Sequence, residues 1–173
     1  MEIKQITLSA TDELRQIFEK LEEDQVKTLI ENITQADKIF VSGAGRSLLM
    51  LRGFAMRLMH LGFRSYVVGD TITPVFSEND LLIIGSGSGK TRTLISIAIK
   101  TKEIGGKITL ISTREKSTLS KLSYDTIIIP AYTDKVDEPS QRKPLHRRRL
   151  IDLCGFLRTR GRWRFQCAKD VEE

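Results

Sequence analysis

Two short runs of glycine and serine carry most of the chemical information in this chain: "SGAGRS", Ser42 to Ser47, and "GSGSGKT", Gly85 to Thr91. Glycine lets a backbone turn sharply and approach an anion. A loop that opens a helix also aims N–H groups and the positive end of the helix dipole at whatever sits beside it. Ser86, Ser88 and Thr91 add hydroxyl donors that a phosphate accepts from several directions, and Lys90 and Arg46 add positive charge. The second loop therefore suits a phosphate group. A nucleotide P-loop needs G-x-x-x-x-G-K-[ST], and the leading glycine would fall at position 84, which is Ile84, so that motif fails by one residue. A glycine turn serving geometry alone accounts less well for two serines and a threonine. The first loop has a dinucleotide reading as the alternative chemistry: "GAG" starts the pattern G-x-G-x-x-G, and Asp70 lies where a ribose-binding acid would sit. The third glycine is missing, because position 48 is Leu48.

The elements that must position these loops alternate along the chain. Short apolar runs at 38–43, 65–69, 80–87, 107–112 and 125–130 read as strands, and their lack of polar alternation predicts a sheet covered on both faces. Between them, 46–62, 91–106 and 116–123 read as helices, the first stopped by Gly62 and the second by two glycines. Five strands with helices between them predict an α/β fold, a doubly wound five-stranded parallel sheet in the flavodoxin-like order 2-1-3-4-5. In that order strands one and three are neighbours at the switch point, so both glycine loops open onto one crevice. Upstream, residues 10–35 read as an amphipathic helix. Leu14, Ile17, Phe18 and Leu21 share a face, Val26, Leu29, Ile30 and Ile33 repeat the spacing, and Thr11 with Asp12 and Glu13 reads as the helix start. The organisation expected is a helical segment over 1–35, an α/β core over 36–131 and a basic tail over 132–173.

The net charge of +6 belongs to the tail: residues 142–173 hold ten Lys/Arg against four Asp/Glu, which leaves residues 1–141 evenly balanced. A nucleic-acid-binding domain spreads its charge over a folded surface, so this distribution argues against nucleic acid as a partner. No apolar run reaches the ~18–20 residues of a membrane span, and the N-terminus lacks the apolar stretch of a secretory signal. Cys154 and Cys167 have no metal-ligand spacing and read as free thiols of a reducing cytoplasm.

The combination "SGAGRSLLMLRGFAMRLMHLGF", "VVGDTITP" and "DLLIIGSGSGKT" resembles the sugar isomerase (SIS) domain and, within that group, the 6-phospho-3-hexuloisomerase family, from the N-terminal helix to about Pro130. The resemblance implies an intramolecular oxidoreductase that interconverts 3-hexulose 6-phosphate and fructose 6-phosphate without metal or redox cofactor, serving formaldehyde fixation or pentose supply. In such chemistry a base removes a proton beside the carbonyl, an enediol forms, and the proton returns at the neighbouring carbon. Carried over residue by residue, the resemblance implies that Ser86, Ser88 and Thr91 hold the phosphate with backbone support from Gly87 and Gly89. Gly45, Arg46 and Ser47 would line the sugar side. It also implies a homo-oligomer, a dimer or tetramer. Lys90 departs from the acidic or small residue that the family often carries there. His60, near the end of its helix, reads as structural or as a subunit contact rather than catalytic. SIS folds also serve as sugar-phosphate sensors without catalysis, which is the alternative in another functional class.

The last third departs from the family. The expected "PMGSLFEQ", whose glutamate is the usual proton-transferring base, and the terminal "HANLE" are both missing. After Lys143 the chain reads "PLHRRRLIDLCGFLRTRGRWRFQCAKDVEE". Asp152 is the only carboxylate close to the expected region, and His146 has no supporting motif. A change of reading frame near residues 140–145 would explain so abrupt a loss of pattern. The catalytic residues are therefore unassigned, and the expectation is phosphate binding with weak or absent isomerisation.

Overall fold

The computed structural model describes residues 3–131, apart from the side chain of Ile6. His146, Asp152, both cysteines, the basic tail and the proposed change of frame lie outside the described residues.

Five parallel strands form one sheet: β1 (Ile39–Gly43), β2 (Ser65–Val67), β3 (Leu81–Gly85), β4 (Lys107–Ser112) and β5 (Asp125–Ile128), in the order β2-β1-β3-β4-β5. This is the expected topology, and its cause is visible in the burial. β1 and β3 are apolar at nearly every position, and successive side chains serve opposite faces. Ile39, Val41, Leu81 and Ile83 point into a core completed by Leu51, Ala55 and Leu58 of α3 (Arg46–His60) and Ile33 of α2 (Glu23–Gln35). Phe40, Leu82 and Ile84 point the other way, against Leu94 and Ala98 of α4 (Arg92–Ile104) and Leu119 of α5 (Thr118–Leu122). At the amino ends of the strands, the buried Asp80 fixes the entry to β3. Its Oδ2 accepts the Ser77 N–H at 2.6 Å and pairs with Lys38 Nζ at 3.0 Å.

The N-terminal segment differs from the single helix expected. α1 (Ile3–Phe18) ends in a turn where the Lys20 and Leu21 amides reach back only three residues, and α2 begins at Glu23. The first apolar stripe falls mostly on α1 and the second on α2. They are offset by twelve residues, which on one continuous helix would rotate the second stripe about 120° from the first. Thr11 is not a start signal. It lies within α1, and its hydroxyl donates to the Thr7 carbonyl one turn back at 3.0 Å, a common use of threonine inside a helix. The acidic pair that favours a helix N-terminus is Glu23 and Asp24 of α2.

Residues Ile17–Lys135 form one compact unit, so α2 belongs with the sheet. Asn32 Nδ2 donates to Asp125 Oδ2 at 2.6 Å, and Gln25 Oε1 accepts the Ile128 N–H at 2.8 Å. The first helix of the unit is thereby tied to its last strand. No described helix is long and apolar enough to cross a membrane.

Candidate functional site

The register of β1 against β3 places Gly43 opposite Gly85, so the two glycine loops leave the sheet side by side at its carboxyl edge. The close approach is built from small residues. A Cβ on Gly85 would lie 2.8 Å from Leu51 Cδ1 and 3.6 Å from Ser47 Cβ, so the first turn of α3 rests directly on the root of the second loop. Gly43 likewise makes room for the backbone of Leu48. Helix-to-strand packing thus accounts for the first glycine of "GAG". Asp70, the acid a ribose would need, is engaged by Arg52 Nη2 at 2.6 Å.

The second loop folds into one tight turn. The Ser86 N–H extends the ladder to the Ile111 carbonyl at 3.0 Å. Its hydroxyl, almost fully buried, accepts the Gly89 N–H at 3.2 Å and lies 3.4 Å from Thr91 Oγ1. Ser88 Oγ accepts the Lys90 N–H at 3.4 Å, while the Lys90 side chain is exposed. Gly89 has φ +62°, and a Cβ there would collide with Ser117, so only glycine fits. Ser86, Gly87, Ser88, Gly89 and Thr91 are therefore brought together within a single turn. Gly45, Arg46 and Ser47 belong to the neighbouring loop, Gly45 as the residue preceding α3 and the other two as its first residues.

Electrostatically the site is assembled from helix starts. α3 begins after Gly45 and α4 after Thr91, and neither preceding residue uses a side chain to cap the helix. At these two starts the preceding residue leaves to other groups the capping that a serine or aspartate side chain often provides. α5 is the contrast. Ser117 Oγ accepts the Ser120 N–H at 3.0 Å, and Ser120 Oγ accepts the Ser117 N–H at 2.8 Å, a reciprocal cap. Two helix N-termini beside a turn of hydroxyls and amides make the kind of cradle that suits an anion.

Three residues not singled out in the sequence hold this cradle from behind. Thr113 Oγ1 donates to the Gly87 carbonyl at 2.8 Å, Ser112 Oγ approaches the same carbonyl at 3.4 Å, and Ser117 packs on Gly89. A serine and threonine at the end of β4, with another serine just before a helix, was the available signal. His60 lies on the last turn of α3, away from the carboxyl edge of the sheet. Among the described residues no three His, Cys, Asp or Glu side chains converge as metal ligands would.

The fold recurs in known proteins. The family profile of the SIS domain matches residues 32–138. This chain belongs to the SIS-domain family. It is 43% identical over 129 residues to a protein of Mycobacterium gastri named 3-hexulose-6-phosphate isomerase, covering 75% of this chain and 64% of that one. A Bacillus subtilis protein of the same name is 40% identical over 119 residues, 69% of this chain and 64% of its own. This SIS chain thus spans a little under two thirds of the length of both curated relatives. Among solved structures it is similar to a Methanococcus jannaschii protein, with 42% identity and a TM-score of 0.61, covering 65% of this chain and 63% of that one. From that crystal structure a molecular function of 3-hexulose-6-phosphate isomerase was inferred.

Proposed function

We propose that this SIS domain binds a phosphorylated hexulose at the crevice between the β1–α3 and β3–α4 loops, on the scaffold of an isomerase that interconverts 3-hexulose 6-phosphate and fructose 6-phosphate. The observation that carries the reading is the pairing of Gly43 with Gly85, which brings the starts of α3 and α4 and the hydroxyls of the β3–α4 turn side by side at the carboxyl edge of the sheet. Ser86, Ser88 and Thr91 hold the phosphate with the backbone at Gly87 and Gly89, while Gly45, Arg46 and Ser47 face the sugar. The names of the relatives support the choice of a 3-hexulose phosphate within the SIS family.

The isomerisation needs a base beside the carbonyl. Neither loop contains a carboxylate or a histidine: their residues are Ser42 to Ser47 and Gly85 to Thr91. This favours a second reading in which the domain binds the sugar phosphate and turns it over poorly or not at all, because loss of a general base costs typically ~10²–10⁴-fold in rate. Calorimetry with fructose 6-phosphate followed by an isomerase assay separates the two. Binding with turnover supports the enzyme, binding without turnover supports a sensor or an impaired enzyme, and failure to bind removes the site. We place the protein in the cytoplasm as a homo-oligomer. Leu49, Met50, Met56 and Met59 are exposed along α3 among arginines, and these apolar side chains are contacts that a second copy could bury.

A further inference from the structure

An anion cradle made of backbone must solve a problem that its amides do not solve: the carbonyls of the same turn repel a phosphate unless they are turned away. In the β3–α4 loop three of them are engaged within the protein. The Ser86 carbonyl accepts the Gly89 N–H at 3.2 Å, and the Gly89 carbonyl accepts the Leu119 N–H at 3.0 Å. The Gly87 carbonyl accepts Thr113 Oγ1 at 2.8 Å. The last contact sets a direction. In a trans peptide the C=O and the following N–H point oppositely, and no described peptide bond is cis. β4 flanks β3 on one side and β1 flanks it on the other. A Gly87 carbonyl drawn toward Thr113, the first residue beyond β4, sends the Ser88 N–H toward β1, where the crevice lies.

We infer that Thr113 is a positioning residue of the phosphate loop: by holding the Gly87 carbonyl it aims the Ser88 N–H at the bound anion. The inference deepens the sugar-phosphate reading and rests on it. Thr113 acts through Gly87, and its hydroxyl is the part that matters.

The test uses the full chain, with fructose 6-phosphate as the probe, calorimetry for affinity and NMR for the backbone amides. In the unsubstituted chain the Ser88 amide proton moves downfield on titration. Thr113→Val keeps the shape and removes the donor, so binding weakens about tenfold and the Ser88 shift is lost. Thr113→Ser restores both. Ser112 Oγ lies 3.4 Å from the same carbonyl, so the double variant S112A/T113V closes the substitute route and loses at least as much. Unchanged affinity and an unchanged Ser88 shift in the double variant overturn the inference, as does failure of Thr113→Ser to rescue. Where Thr113→Val does not fold, the unsubstituted chain decides, because binding with a stationary Ser88 amide also overturns it. These failures leave the phosphate site standing if Ser86→Ala still weakens binding. A chain that binds no fructose 6-phosphate at all sinks the site and the inference together.

Discussion

The β1–α3 and β3–α4 loops sit side by side and do the same topological work, yet they are held in different ways. The β3–α4 loop is buttressed from behind: Thr113 holds its Gly87 carbonyl, Leu119 its Gly89 carbonyl, and Ser117 fills the space beside Gly89. The β1–α3 loop stands open at its tip, where, among the described residues and apart from its chain neighbours, Gly45 has no atom within 4 Å of the place a Cβ would occupy. Both loops need glycine, but for different reasons. Gly89 needs a left-handed φ and also empty space. Gly45 needs only its backbone angles, φ 57° and ψ −129°, which side chains other than glycine avoid. A braced loop suits the common part of a ligand, the phosphate. An open one leaves room for the part that varies, the sugar.

Substitutions sharpen this contrast. Gly89→Ala combines backbone strain with a collision at Ser117 and disturbs the cap of α5, so a loss of about 3–5 kcal/mol in urea unfolding is expected, together with loss of fructose 6-phosphate binding. Gly45→Ala meets open space and carries strain alone, about 1–3 kcal/mol by the same measurement. If the two variants cost the same, the braced-versus-open distinction is wrong. Ser86→Ala and Ser88→Ala leave the fold in place and each weaken fructose 6-phosphate binding by about 1 kcal/mol per lost hydrogen bond, read by calorimetry. Unchanged affinity in both would take the phosphate away from this loop.

The sheet was legible because its central strands β1 and β3 are nearly continuous apolar runs, and α3 and α4 end at glycines, Gly62 and Gly105, that adopt positive φ. The hydroxyl-rich turn proposed to hold the phosphate was legible as a cluster because its hydroxyls lie within six residues of one another. The buttress behind it was not. Thr113 and Gly87 are 26 residues apart and belong to different crossovers, so nothing in the local pattern marks their contact. The break between α1 and α2 was misread for another reason. Both stripes have helical spacing, and only their mutual rotation reveals that one rod cannot serve both. Resemblance to the SIS family supplied what spacing could not, the roles of Gly45, Arg46 and Ser47, and these await the binding experiments above.

The link from α2 to β5 bears on how the protein is made. Asn32 finds Asp125 across 93 residues of chain, and Gln25 finds the Ile128 amide across 103. During synthesis α2 emerges early and can pack Ile33 against the first strands, but Asn32 and Gln25 have no final partner until the fifth strand leaves the ribosome. Contacts so distant in sequence close late and slow the search for the native arrangement. A nascent chain halted before Asp125 would keep Asn32 and Gln25 waiting in water, with the outer flank of β4 still bare.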